Sequence, residues 1–260
     1  MAPLPSLFLS HGAPTLALED SPAGRFLDGL GGRFARPGAI VVISAHYPSA
    51  VPSAGGATQP HTVHDFRGFP PELSRLHYPA PGAPELAARI TGLWHQAGLD
   101  GRIDPLRGLD HGVWVVLRRM YPEADIPVVP LSVDPRGDAR RHYALGRALS
   151  GLRAENVLLI GSGGFVHNLG ELDWHTQTAP LAPWADSFAR WMDEALIAGD
   201  HARLLDWESH APCARRAHPT VEHLMPLFVA LGAAGPDATA TRLHRSHQLG
   251  SLALDAYAFG

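Results

Sequence analysis

Four short runs of Leu, Ile and Val, at Ser6–Ser10, Ala39–Ala45, Ile126–Val133 and Val157–Gly161, constrain this chain more than any other feature. Each run is apolar along most of its length and ends in polar or turn residues. A strand reads that way when both of its faces are covered. Helical periodicity fills the stretches between and after them. Pro84–Ala97 carries Leu86, Ile90 and Leu93 at helical spacing, and His111–Tyr121 carries Val115, Leu117 and Met120. Asp138–Leu152, Pro183–Ala198 and Thr220–Leu231 follow the same pattern, and Pro183 suits a first helical turn. Strands alternating with helices predict an α/β fold: a single domain over residues 1–260, with a mainly parallel sheet flanked by helices. The tail, Ala238–Phe259, reads as a final extended pair.

Composition removes several chemistries. The chain has one cysteine, Cys213, which excludes an internal disulfide, a Cys-rich zinc site and an iron–sulfur cluster. It has no lysine, so a Schiff-base lysine and a P-loop lysine are both excluded. A net charge of −4 gives no electrostatic footprint for nucleic acid or an anionic membrane. No apolar run approaches the roughly 20 residues of a membrane span. No basic region precedes the first apolar run, so the expected location is cytoplasmic.

Against these absences stand 16 histidines. His11 follows the first strand in SLFLSHG, His46 the second in AIVVISAHY, and His167 the fourth in VLLIGSGGFVHN. The ligand crevice of an open α/β sheet lies outside the carboxyl ends of its strands. Three histidines from distant parts of the chain are therefore expected on one edge of the sheet, at a metal site. His223, in AHPTVEHLMPL, is expected in the first turn of a helix, and His111 opens another helix beside Asp110. His61 and His64, in QPHTVHDFRGFP, lie in a loop that could line a pocket. Neutral imidazoles suit iron, zinc and copper, and a site built from strand ends and left partly open is catalytic rather than structural. Asp110, Glu222 or backbone carbonyls are the expected partners of the rings. The Gly161–Gly164 stretch fits no dinucleotide fingerprint; it is expected to let backbone pass close to a bound ligand.

The blocks SHGAPTLALED, VVISAHY, HDFRGFP, GLDHGVWVVLRRMYPEADIPVVPLSVD, GSGGFVHNL and HPTVEHLMPLFVALGA, in order from about Ser10 to Gly232, resemble the 4,5-DOPA extradiol dioxygenase family. That family belongs to the class III extradiol ring-cleavage dioxygenases. The resemblance implies a catechol-type substrate, O2 and a mononuclear non-haem metal: Fe(II) for catalysis, with Zn(II) as a metal often bound. It implies His11, His46 and His223 as ligands and His167 as the acid/base histidine that also reaches zinc. His111 matches a second proton-transfer histidine. Tyr47 stands where the family usually has Trp, and with His61, His64 and Phe66 it is expected to shape the substrate pocket. The wider class uses two histidines and a glutamate, so Glu222 and His218 are the alternatives to His223 as third ligand. A zinc-dependent hydrolase and a non-catalytic metal-binding protein are the competing readings, and the expected assembly is a monomer or homodimer.

Overall fold

Strands with no polar face need cover on both sides, and this chain supplies it. The computed structural model describes residues 2–175 and 179–260. Strands β1 (Ser6–Ser10), β2 (Ala39–Pro48), β3 (Ser53–Gly55), β4 (Arg102–Asp104), β5 (Val128–Val133), β6 (Val157–Gly163) and β7 (Ala240–His244) precede a small hairpin, β8 (His247–Gln248) and β9 (Leu252–Ala253), and the last strand, β10 (Ala256–Phe259). One sheet runs in the order β4-β3-β5-β2-β6-β1-β10-β7, and the hairpin stands apart from it. Its four central strands are mutually parallel, whereas β3 joins β5, and β10 joins β1 and β7, antiparallel. The expected mainly parallel α/β sheet is what forms, and the tail supplies the extended pair β7 and β10.

Alternate residues of each central strand enter two separate cores. Val41, Ile43, Val129, Leu131 and Leu159 face one side. There they meet α2 (Pro84–Gln96), α4 (Ala139–Ala148), α5 (Pro183–Ile197) and α9 (Met225–Ala234). Ile40, Val42, Val128, Leu158 and Ile160 face the other, under α1 (Pro22–Leu30) and α3 (His111–Met120). Three short helices, α6 (His201–Leu205), α7 (Trp207–His210) and α8 (Ala214–Ala217), lead from α5 toward α9.

Several expected boundaries change. The helix expected over Asp138–Leu152 begins with the Asp138 side chain accepting a hydrogen bond from Arg141 N, but becomes a 3-10 turn over Ser150–Glu155. Leu149 N bonds Gly146 O, a three-residue step that tightens the last turn. The helix expected from Thr220 starts only at Met225, with Pro226 in its first turn. Strand β2 runs to Pro48, with its pairing to β5 irregular between Ile43 and Pro48. Such irregularities re-aim side chains, and His46 lies inside this one.

Helices α4 and α9 pack closely because each presents a glycine to the other. A Cβ on Gly146 would lie 2.0 Å from Val229 O, and one on Gly232 would lie 2.1 Å from Tyr143 O. Backbone cannot yield as a side chain does. Gly146→Ala is therefore expected to cost about 2 kcal/mol, a fall of roughly 5 °C in Tm by calorimetry. An unchanged Tm would mean the two helices do not meet at this point.

Candidate metal centre

His11 leaves the end of β1, His46 sits in the irregular end of β2, and His223 lies in the turn before α9. Their Nε2 atoms converge. His46 Nε2 is 3.0 Å from His11 Nε2 and 3.2 Å from His223 Nε2. Two nitrogens about 2.1 Å from a common ion sit about 3.0 Å apart at a right angle and about 3.4 Å apart at the tetrahedral angle. The observed spacing falls in that range, and these three side chains could hold one metal ion.

Two of the rings are held by hydrogen bonds at their other nitrogen, and the third faces a carboxylate. The Ser162 hydroxyl donates to Gly112 O, so it accepts from His11 Nδ1–H at 3.0 Å. His223 Nδ1–H donates to Glu222 at 3.0 Å. His46 Nδ1 faces Asp65 Oδ2 at 3.5 Å. The two hydrogen bonds turn an unprotonated Nε2 inward on His11 and His223, the tautomer a metal requires, and the nearby carboxylate favours the same tautomer of His46. Burial, reinforced by neighbouring imidazoles, holds His11 and His223 well below the usual histidine range and brings His46 to about 3. The donors are neutral at neutral pH, so the donor set fits a resident divalent metal.

Two more histidines flank this triad. His111, at the start of α3, donates from both its backbone N–H (3.0 Å) and Nδ1–H (2.9 Å) to Asp65 Oδ1, leaving Nε2 free. Its ring centroid lies 3.9 Å from that of His46. Burial works to raise Asp65, but hydrogen bonds from His111 and the charges of His111 and His46 outweigh it and bring the carboxyl to about 2. His167 stacks flat on His223, with ring centroids 3.5 Å apart. Burial lowers its pKa to about 4.

Glycine explains how the His223 turn comes so close to the sheet. A Cβ on Gly163 would lie 2.0 Å from His223 O, and Gly164 N–H donates to the same oxygen at 2.9 Å. The Gly-rich stretch thus admits another part of the chain, in place of the expected ligand. His218 points elsewhere: its Nε2–H donates to Phe165 O at 3.1 Å, and its ring packs on Phe188 and Trp207. Asp110 holds no ring. It accepts from Ser44 and Arg107, and Ser44 in turn accepts from His46 N. The acid that faces two rings, and holds that of His111, is Asp65, which sequence reasoning passed over.

A cavity of about 250 Å³ opens above the histidines. His11, His46, His111, His167 and Phe66 line it; His61, His64 and Tyr47 are not among its lining residues. His64 Nε2 donates to Leu76 O, and His61 is exposed. Tyr47 is buried, with its hydroxyl on Asp104 and the Arg107 guanidinium over its ring.

The chain belongs to the aromatic ring-opening dioxygenases: the family described as the catalytic LigB subunit of aromatic ring-opening dioxygenase matches residues 5–258. Such an enzyme acts on an aromatic substrate with O2, and its family implies a metal cofactor. Similar curated proteins are the 4,5-DOPA dioxygenase extradiol of Beta vulgaris, 43% identical over 98% of this chain and 96% of its own length, and that of Escherichia coli (strain K12), 40% identical over 96% and 93%. A crystal structure of an uncharacterized protein from Escherichia coli K12 superposes with a TM-score of 0.83 at 36% identity, covering 99% of this chain and all of that one. Extradiol ring cleavage displaces the hydrolase and non-catalytic readings. Among the described residues, no helix is long and apolar enough to cross a membrane.

Proposed function

We propose that this protein opens the ring of a catechol beside its two hydroxyls, the kind of cleavage its relatives' names describe, with His11, His46 and His223 holding Fe(II). The observation that carries this reading is the convergence of three neutral Nε2 atoms, 3.0–3.2 Å apart along the pairs through His46, beneath a cavity of ring size. The chemistry that ferrous iron would supply, if held by these three imidazoles, is Lewis-acid and redox activation of the diol and dioxygen. Zn(II) suits the same donors but lacks that redox role.

The chain's own residues handle the protons. His167, unprotonated at neutral pH and lining the cavity, accepts a proton from one diol hydroxyl as general base. His111 has its tautomer fixed by Asp65, and its free Nε2 holds or returns a proton during ring opening. Phe66 meets the His111 ring edge-on, with centroids 5.8 Å apart, and packs beside the substrate ring. Both atoms of O2 enter the product as one ring C–C bond breaks.

Metal-free protein loaded anaerobically with Fe(II), then given L-DOPA or 4-methylcatechol and air, is expected to consume O2 and form a yellow semialdehyde. Zn(II)-loaded protein is expected to do neither. No O2 uptake with any catechol after verified iron loading would overturn the proposal.

A further inference from the structure

The cavity is built for a particular kind of ring substituent. Beyond its histidines and Phe66, the lining is Phe69, the short segment Gly12–Pro14, and a wall of Leu169, Leu172, Trp174, Leu249 and Leu252. Among the described residues, no arginine, aspartate or glutamate lines it. Leu169 and Trp174, each 60% exposed, carry the apolar wall out to the surface.

This wall is assembled from two distant segments tied together. The turn of the β8–β9 hairpin accepts hydrogen bonds from Asp173 N at Leu249 O (2.9 Å) and from Ala182 N at Gly250 O (2.7 Å). The Ser251 hydroxyl donates to Glu171 O at 3.0 Å. Leu249 is only 4% exposed and sits at φ +52°, a left-handed conformation that glycine or asparagine adopts far more easily. A leucine kept at a strained turn position, with its side chain against the cavity, points to a need for apolar surface there. Three charged groups near the wall are engaged. Arg216 donates to both carboxylate oxygens of Glu171 and lies over the Trp184 ring, while Glu19 accepts from Gln248.

We infer that the catechol taken here carries an uncharged, apolar ring substituent, alkyl or aryl, packed on Leu169, Leu172, Trp174, Leu249 and Leu252. The inference rests on the ring-opening reading above and names its substrate class. An amino-acid substituent would place an ammonium and a carboxylate against leucines, with no arginine, aspartate or glutamate among the described lining residues to replace their water. A propyl group gains from the same contact.

The test compares 4-propylcatechol, L-DOPA and 3-(3,4-dihydroxyphenyl)propanoate on the iron-loaded enzyme, by anaerobic titration calorimetry for Kd and by O2 uptake for kcat/KM. Both quantities are expected to favour 4-propylcatechol over the two charged compounds by about tenfold or more. Leu172→Arg is expected to weaken 4-propylcatechol and strengthen the propanoate, reversing their order. Equal or better binding of L-DOPA by the unaltered protein would overturn the inference, as would failure of all three to bind. Tightest binding of 4-propylcatechol without turnover of any compound would uphold the substrate class and defeat the ring-opening reading instead.

Discussion

Replacing His46 with alanine is expected to leave a folded protein that neither retains metal nor opens a ring. His46 is the middle member of the triad, its Nε2 within 3.2 Å of both other donors. Without it, two imidazoles on separate elements remain. Loss of a partner outside the metal's own ligands typically costs 10–100-fold in affinity, and loss of a ligand costs more. Metal catalysis is worth several kcal/mol, and each ~1.4 kcal/mol is a factor of ten, so turnover should fall by about 10³-fold or more. The fold should survive, because the rest of β2 is secured on both sides by β5 and β6. Metal analysis, O2 uptake and circular dichroism on one preparation check all three points. Full metal occupancy in the His46→Ala protein would show that the ion sits elsewhere.

His167→Ala is expected to give the opposite combination: metal kept, kcat reduced by about 10²–10⁴-fold, the range in which a positioned general base contributes. The triad does not lean on this residue. His11, His46 and His223 take their orientation from Ser162, Asp65 and Glu222. His167 meets the group through its ring stacked on His223. Removing that ring opens space beside His223 without releasing its Nδ1–H. Substrate affinity, measured anaerobically, should change little. If His167→Ala instead loses metal along with activity, His167 is a ligand and the proton acceptor is another group.

The contrast between these two variants follows the line between what the chain declares locally and what only folding brings together. Both-sided burial made the central strands legible as unbroken apolar runs, and the strand-end rule brought His11, His46 and His167 to one edge. The strands β3 and β4 escaped notice because three residues are too few for a periodic signal. His223 belonged to the cluster, but the placement of its helix was wrong. Pro226 marked the true first turn, since proline favours that position, and the turn at residues 222–224 before it carries the His223 ring inward. Asp65 was hidden for a different reason. Its partners lie 46 residues ahead, at His111, and 19 behind, at His46. Nothing local distinguishes such an acid from a solvated one, although its place beside His64 and Phe66, in a loop already suspected of facing a pocket, was a usable hint. Tyr47 shows the converse: adjacency to His46 suggested a cavity wall, but alternation along β2 turns it away, toward Asp104 and Arg107.

The Asp65 carboxylate faces one imidazole with each oxygen, accepting a hydrogen bond from His111 Nδ1–H at Oδ1 and lying 3.5 Å from His46 Nδ1 at Oδ2. A single anionic tether therefore reaches a ring of the proposed metal-binding trio and a ring outside it. Cutting that tether would loosen both at once, and the resulting defect would carry two signatures that no kinetic analysis of an Asp65 variant could separate. Assigning the work of either ring requires changing that ring itself and leaving the shared anchor in place.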